Sequence, residues 1–239
     1  MSKALTVSIM QSNYIPWKGY FDLARCSDVF VFLDTVQYTK NDWRNRNQIV
    51  INKTPAWLTI PVQTKGKFGQ RICDVAVAQG WANKHYMSIS QAYAKAPFFK
   101  HYKGELAILY QACNDLSSLS EVNRLFFDRI LKWLNINVDI QDAANIETSQ
   151  DPNQRILDII QHVGGKRYIS GPSAKSYLNE SLFRDHGIEV IWADYSHYPE
   201  HPQQSNIFCH YISILDLIFN VGPDATKFLC DIKSEIKND

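Results

Sequence analysis

Several features that would place this chain in a common functional class are missing from its 239 residues. The 25 Lys and Arg residues nearly balance the 24 Asp and Glu residues, so the formal net charge is only +1. General nucleic-acid binding usually needs a strong basic excess, and the balance argues against it. No apolar run approaches the ~20 residues of a membrane span. The opening segment MSKALTVSIMQ is too polar for a signal peptide, so we expect a cytoplasmic protein.

The cysteines and histidines show no spacing typical of a metal or disulfide site. None of the five cysteines belongs to a CxxC pair, and the odd count fits free thiols in a reducing cytoplasm. The histidines form neither an HExxH motif nor a Cys/His ligand spacing. We therefore predict no structural metal, and the sequence leaves the cofactor unknown.

A strand–helix–strand unit opens the chain. Residues 5–10 alternate between apolar and polar, and residues 17–24 carry apolar side chains at helical spacing. Residues 29–33 are apolar on both faces, which is typical of an interior parallel strand. Further strands are predicted at 138–141, 167–170 and 188–193. The pattern predicts a single α/β domain over residues 1–239 with a mixed, mainly parallel Rossmann-like sheet.

Other elements interrupt this α/β pattern. Apolar stretches at 48–51, 57–62 and 72–78 predict strands that run antiparallel beside the main sheet, with a hairpin turn at 52–55. Helical periodicity follows at 81–94 and 102–113, and a capping box from Ser118 to Glu121 begins a third helix. We therefore predict a helical insertion at about 81–135. A last helix is predicted at 211–219.

Polar and aromatic residues are concentrated in the loops that follow the first two strands. A scaffold does not need so many such groups in neighbouring loops. If the strands are parallel, these loops meet Ser170, Gly171 and the Asp194–Tyr195 pair at one sheet edge, where ligands bind. The candidate residues of the two loops are Gln11, Asn13, Tyr14, Trp17, Asp34, Gln37, Tyr38, Lys40, Trp43, Arg44 and Arg46.

Asp34 and the segment 40–46 each allow more than one interpretation. The Asp34 carboxylate suits a general base, a partner for a substrate amine or hydroxyl, or a cap of the next turn. Arg44 and Arg46 suit a phosphate or carboxylate, and Trp43 offers a stacking face. The same segment also fits a solvated loop with surface ion pairs.

Three weaker signals remain. The Gly171-Pro172-Ser173 turn fits either an anion-binding turn or a tight strand-to-helix connection. His85 lies on the apolar stripe of its helix, and we expect a core histidine there. His197 and His201 lie in a proline-bearing loop. They fit two roles equally well, as lining residues of a pocket or as ordinary surface residues.

Long motifs along nearly the whole chain resemble one protein family. They begin with Gln11, NYIPW, GYF, DVFV, Asp34, VQY and DWRNR, and they continue with WLT, YISG, Tyr198, Gln203 and SILD. In these residues the chain resembles the WbqC-like proteins. Two positions differ from the family pattern: Ser12 replaces a usual proline, and Thr35 replaces a usual second acidic residue. The second difference argues against a two-acid or metal mechanism.

The resemblance implies a bacterial protein that modifies sugar precursors of O-antigen and other surface polysaccharides. The activity that it implies is transfer of an acyl or aminoacyl group, such as glycyl, to an amino sugar. A nucleotide-linked sugar is then the expected small-molecule partner, and the donor could be bound to a carrier.

On this hypothesis, Asp34 and Lys40 are the predicted catalytic residues, with Asp34 orienting or deprotonating the amine. Lys40, Arg44 and Arg46 would also hold phosphates. Trp17, Trp43 and Tyr14 would stack on a base or sugar. The other predicted substrate-binding residues are Gln11, Asn13, Gln37, Tyr38, Ser170, Gly171, Tyr198 and Gln203.

Two alternative functions stay open. The strand–loop–helix opening is similar to that of nucleotidylyl transferases, and the segment PWKGY at 16–20 falls where they carry an HxGH motif. Both histidines of that motif are absent here, which argues against the same chemistry. The other alternative is a non-enzymatic sugar- or nucleotide-binding protein of the same pathway.

Overall fold

A sheet of five parallel strands forms the centre of the computed structural model, which describes residues 4–229. The strands are β1 Thr6–Met10, β2 Val29–Phe32, β5 Asp139–Asp142, β6 Arg167–Ser170 and β7 Glu189–Trp192. Their order across the sheet is β5-β2-β1-β6-β7. The chain therefore moves outward from β1 in one direction and later in the other. The predicted mainly parallel, Rossmann-like α/β fold is confirmed.

An antiparallel hairpin forms a separate two-stranded sheet, as predicted. It consists of β3 (Arg46–Ile51) and β4 (Thr54–Thr59). The turn residues Asn52 and Lys53 both have positive φ, at 49° and 65°. Two consecutive left-handed residues are the signature of a type I′ turn, whose twist matches that of paired strands.

The strand predicted at 72–78 is wrong. A short 3-10 helix, Ile72–Asp74, occupies its first half. In its second half, isolated bridges pair Ala76 with Ser118 and Val77 with Val62. The backbone N–H groups of Ile72 and Cys73 donate instead to carbonyls of the loop after β2. The apolar residues Ile72, Val75 and Val77 are buried in the larger apolar core.

Helices cover both faces of the parallel sheet. They are α1 Lys18–Cys26, α2 Ala82–Ala92, α3 Phe99–Ala112, α4 Leu119–Trp133, α5 Pro152–His162, α6 Glu180–Asp185 and α7 Ile214–Val221. The helices α2, α3 and α4 follow one another between the hairpin and β5, in the range where a helical insertion is predicted. The predicted capping box at Ser118 and Glu121 is present at the start of α4.

Two apolar cores flank the sheet. The larger lies between α1, the hairpin, α7 and the helical insertion, and the smaller packs α5 and Phe183 against β1 and β2. In the larger core the ring of Phe127 stacks on Phe21 and Phe30, with centroids 5.4 and 5.0 Å apart. This packing holds the middle of α4 against α1 and β2.

Cys26, Cys73, Cys113 and Cys209 are free thiols, as predicted, and Cys230 lies outside the described residues. Between residues 4 and 229, no helix combines the length and the apolar character needed to cross a membrane.

Candidate functional site

A cavity of about 400 Å³ opens at the carboxyl ends of β1 and β6. The strand order reverses between these two strands, and this switch point is where open α/β sheets bind ligands. The lining residues are Met10, Asn13, Pro16, Trp17, Tyr20, Leu23, Trp43, Arg44, Asn47, Gly171, Pro172, Ser173, Tyr195 and Tyr211. We call this the switch-point cavity.

Arg44 supplies the positive charge of the switch-point cavity. Its Nε donates to Oε1 of Gln11 at 2.6 Å, and its Nη1 donates to Oδ1 of Asn13 at 2.5 Å. Its Nη2 lies 3.5 Å from an Oδ2 atom of Asp42. These bonds fix the plane of a guanidinium that would otherwise be free to rotate. No other lining residue within the described range is ionised at neutral pH.

Asp42 stays ionised beside this guanidinium. Burial acts to raise the pKa of its carboxyl, but the Thr39 hydroxyl and Arg44 outweigh that effect, and the pKa is lowered. A carboxylate with a lowered pKa is a weak proton acceptor, so Asp42 is suited to orienting Arg44 and not to acting as a general base.

The loop after β1 holds a strained backbone. Ile15 has a φ of 37°, which is rare for a β-branched residue, and its side chain is fully buried. Nδ2 of Asn47 donates to the carbonyls of Tyr14 and Ile15, at 3.1 and 2.9 Å. Conformations of this kind persist only where the surroundings enforce them, and they are concentrated at functional sites.

The helix α4 braces both site loops from below. Nδ2 of the buried Asn123 donates to the Ser12 hydroxyl at 3.0 Å and to the Arg44 carbonyl at 2.9 Å. Asp34 accepts from the Ser12 backbone N–H at 2.8 Å and from the Ser120 hydroxyl at 2.5 Å. The two loops are thereby tied to each other and to α4 under the cavity.

Aromatic rings form one wall of the cavity. The Trp17 ring lies 4.9 Å from Tyr195 and 5.2 Å from Tyr211, between centroids. An ideal Cβ on Gly19 would lie only 2.4 Å from the Trp17 ring, so the indole lies directly over the first turn of α1. Trp17 therefore packs on the first turn of α1, the helix whose counterpart binds phosphate at its N-terminus in dinucleotide-binding folds.

A second aromatic group continues outward from the cavity. The lining residue Trp43 lies 5.3 Å from Trp57, and the guanidinium carbon of Arg46 lies 4.2 Å above the Trp57 ring. Trp43 and Trp57 are 37% and 44% exposed, although large apolar side chains are normally covered. Both rings therefore keep surface that a ligand could contact.

The structure brings together part of the predicted site. Asn13, Trp17, Trp43, Arg44 and Gly171 line the cavity. Gln11 lies against it through its bond to Arg44. Tyr195, which the sequence placed at the same edge, also lines it.

The other predicted residues lie elsewhere, for physical reasons that the contacts make plain. The Tyr14 hydroxyl is buried against His85 and Tyr110, that of Tyr38 donates to Asn45, and that of Tyr198 donates to Asp22. Asp34 and Ser170 are buried, with the Asp34 carboxylate already hydrogen-bonded. Gln37 and Lys40 are exposed and lie away from the lining. Arg46 packs on Trp57, and Gln203 donates to Asp216.

Several site residues were not found from the sequence. Asn47, Tyr211 and Asn123 stand out only once the fold is known, although Asn123 carries one signal. It is a polar residue on the apolar face of α4, between Leu119 and Phe126, and an unexplained polar residue on such a face is often a buried hydrogen-bonding group.

The chemistry available to the cavity is narrow. Its described lining contains no carboxylate, histidine or cysteine. Burial raises the pKa of Tyr195, and the charge of Asp22 adds to this, so the phenol stays protonated and serves as a hydrogen-bond donor. Within residues 4–229, no three His, Cys, Asp or Glu side chains are grouped so as to hold a metal ion. The described lining therefore offers one guanidinium, several aromatic rings and neutral hydrogen-bonding groups.

Comparison with known proteins agrees with the resemblance seen in the motifs. A model of the WbqC-like protein family matches residues 11–228. The chain is 38% identical over 224 residues to the uncharacterized protein Rv1507c of Mycobacterium tuberculosis, covering 93% of this chain and 96% of that protein. No solved structure matches the chain. The chain belongs to the WbqC-like protein family.

Proposed function

We propose that this protein is a transferase that places an acyl or aminoacyl group, such as glycyl, on the amine of a nucleotide-linked sugar. The reaction would modify a precursor of bacterial surface polysaccharide or O-antigen in the cytoplasm. The observation that carries the proposal is the fixed Arg44 guanidinium inside an aromatic-walled cavity at the switch point of the sheet.

The charge of the cavity favours an anionic ligand. Gln11 and Asn13 orient Arg44 through neutral amide oxygens, and the ionised Asp42, which lies outside the lining, offsets its positive charge only in part from 3.5 Å. A guanidinium held in this way can bind a phosphate or carboxylate through two parallel hydrogen bonds. The phosphates of a nucleotide-linked sugar meet that requirement.

The rings of the cavity favour a ligand with flat or apolar faces. Trp17, Tyr195 and Tyr211 enclose one side, and Trp43 lies on the other side beside Arg44. Sugar rings and nucleobases both present such faces. A volume of about 400 Å³ lies within the range of small-molecule sites and suits the sugar and part of its nucleotide.

The absence of a general base from the described lining limits the mechanism. A neutral sugar amine would attack the carbonyl carbon of an activated ester or thioester, the C–N bond would form, and the C–O or C–S bond would break. The amine proton would pass to the departing oxygen or sulfur. For such an aminolysis the protein needs mainly to hold both groups in line, an effect worth about 7–11 kcal/mol in favourable cases.

Asp34 has a supporting role in this proposal. Its oxygen atoms hold Ser12 and Ser120, and it is 4% exposed, so it keeps the loops in position and does not contact the amine. The exposed Lys40 lies outside the lining and is proposed only as a contact for distal phosphates.

A second candidate function is binding without turnover. The observation that favours it is the same lack of an acid–base group in the described lining. The nucleotidylyl-transferase alternative has less support, because Trp17 covers the first turn of α1 and segment 16–20 contains no histidine.

The test combines ligand binding with product analysis. Purified protein is titrated with nucleotide-linked amino sugars and, separately, with the unlinked amino sugars, by calorimetry and thermal shift. The Arg44→Ala variant loses charge-assisted hydrogen bonds worth about 1.5–3 kcal/mol. Its affinity for the nucleotide-linked sugar should therefore be about 10- to 150-fold weaker than that of the wild type. Arg129→Ala, which breaks a surface ion pair with Glu105, is the matched control and should bind normally.

Product analysis then separates the two candidates. Mass spectrometry of wild-type protein with the bound sugar and an activated glycyl or acyl donor should show the acylated amine. A tight, Arg44-dependent complex that leaves the sugar unchanged with each donor class would favour the binding protein. Both candidate functions would be overturned if Arg44→Ala bound every ligand with the same affinity as the wild type.

A further inference from the structure

A second cavity, of about 660 Å³, lies beside the hairpin turn. The strand β3 borders both cavities, since it gives Asn47 to the first and Val50 and Ile51 to the second. The residues that line the second cavity are Val50, Ile51, Asn52, Lys53, Ser88, Gln91, Ala92, Lys95, Gln203, Gln204, Ser205 and Asn206. We call it the hairpin cavity, and the proposed transfer reaction makes no use of it.

The hairpin turn is anchored to the opposite wall of the cavity. The Lys53 carbonyl accepts from the Asn206 backbone N–H at 3.1 Å and from the Ser205 hydroxyl at 3.2 Å. Because Lys53 is also fixed at a positive φ by the type I′ turn, its backbone cannot shift freely. The turn and the loop 203–206 therefore hold a fixed spacing across the opening.

A buried polar network fixes Gln203 in this cavity. Its Nε2 donates to Oδ2 of Asp216 at 2.9 Å, and its Oε1 accepts from the Cys209 backbone N–H at 2.8 Å. Asp216 has no exposed surface, and the same carboxylate oxygen lies 2.8 Å from Nε2 of His201. A side chain held at both of its polar atoms gives the cavity a preorganised wall.

The charge of the hairpin cavity has one sign. Lys53 and Lys95 line it, and no Asp or Glu is among its described lining residues. Neither lysine forms an ion pair with an acidic residue in the range 4–229. Two ammonium groups that share a concave surface without a counter-charge attract an anion there.

The uncharged part of the lining consists mainly of side-chain amides and hydroxyls. Asn52, Gln91 and Asn206 present amide groups, and Ser88 and Ser205 present hydroxyls. Amides and hydroxyls both donate and accept hydrogen bonds, which matches the hydroxyl groups of a sugar. The described lining of this cavity contains no aromatic ring that could stack on a nucleobase.

We propose that the hairpin cavity is a second binding site and that it takes a phosphate-bearing sugar. Lys53 and Lys95 would hold the phosphate, and the amide and hydroxyl groups would bind the sugar hydroxyls. The proposal rests on this cavity alone and does not require the transferase function.

The probes are glucose 1-phosphate, glucose and inorganic phosphate, titrated by calorimetry at low and at high salt. Glucose 1-phosphate should bind more tightly than either fragment, and its affinity should fall as salt screens the lysines. In ¹⁵N NMR spectra the amides of Asn52, Lys53 and residues 203–206 should shift together as it binds.

Three variants locate the site. The double variant Lys53→Met/Lys95→Met removes both exposed charges. Its affinity for glucose 1-phosphate should fall about tenfold. Lys84→Met removes an exposed charge from the same helix as Ser88 but outside the lining, and it should bind like the wild type. Arg44→Ala should leave the NMR shifts of Asn52, Lys53 and residues 203–206 as in the wild type, which separates this site from the switch-point cavity.

Three results would overturn the proposal. The first is that glucose 1-phosphate does not bind. The second is that the double lysine variant binds it as well as the wild type while its NMR spectrum shows a folded protein. The third is an affinity for inorganic phosphate equal to that for glucose 1-phosphate, which would remove the sugar from the assignment.

Discussion

The hydrogen bonds of Asp34 make its role open to a sharp test. One carboxylate oxygen accepts from the backbone N–H of Ser12, and the other accepts from the hydroxyl of Ser120. Asp34→Ala leaves both donors without an acceptor in a region where Ser12 is 1% exposed. A buried, unsatisfied donor costs about 1–3 kcal/mol, and the Ser120 hydroxyl can partly recover by rotating. We therefore expect a loss of about 2–4 kcal/mol in the free energy of unfolding.

Thermal and urea melts measure this loss directly. For a chain of this size, each kcal/mol lowers the melting temperature by about 2–4 °C, so Asp34→Ala should melt about 5–15 °C lower. Ser120→Ala removes only one of the two bonds and should cost about 1 kcal/mol. The double variant should lose less stability than the sum of the two single losses, because both substitutions break the same contact.

The opposite result would refute the supporting role of Asp34. If Asp34→Ala melts within about 2 °C of the wild type, the two hydrogen bonds do not brace the loops. If Asp34→Asn keeps full stability and ligand affinity yet abolishes an identified transfer reaction, the carboxylate would instead be the general base.

Three further predictions concern the stability of the scaffold. Asn123→Ala removes two buried hydrogen bonds beneath the site, so the free energy of unfolding in urea should fall by about 2–3 kcal/mol. Burial lowers the pKa of His85 from 6.5 to about 4. Between pH 4 and 6.5, the unfolded chain therefore binds a proton at this imidazole more readily than the folded protein does. The free energy of unfolding should therefore fall by up to about 3 kcal/mol as pH drops from 6.5 to 4, and His85→Gln should flatten that part of the profile. Gly222→Ala should cost more than about 2 kcal/mol in the same melts, because φ is 71° and the new Cβ would lie 2.4 Å from Phe98. Gly104→Ala, in open space within α3, should add about 0.5–1 kcal/mol and serves as its matched control.

The fold was predictable largely because its signals are local. The apolar run of β2 identifies an interior parallel strand, and the repeating apolar faces of α1 and α4 identify helices without reference to the rest of the chain. The segment 72–78 shows the limit of this approach. Its apolar residues fit a strand, but whether they pair with a strand or with a loop depends on residues that are distant in sequence.

The candidate site was predictable only in part, for a related reason. Arg44 and Trp43 were found because a loop dense in charge and aromatic rings is unusual for a scaffold. Tyr14 and Tyr198 belong to the same motifs, but their hydroxyls are taken by His85, Tyr110 and Asp22, which lie 71, 96 and 176 residues away. A tyrosine that ends in the core and one that faces a ligand look alike until such partners are known.

The bracing of the site by α4 also bears on when the site forms during synthesis. Asn123 holds Ser12 and Arg44, which precede it by 111 and 79 residues. A ribosome-bound chain that ends at the hairpin already contains Gln11, Asn13 and Arg44 but has no α4 to fasten their loops. Contacts that span so much sequence form late because a long loop must close first. The binding groups of this protein are thus made well before the helix that fixes their arrangement.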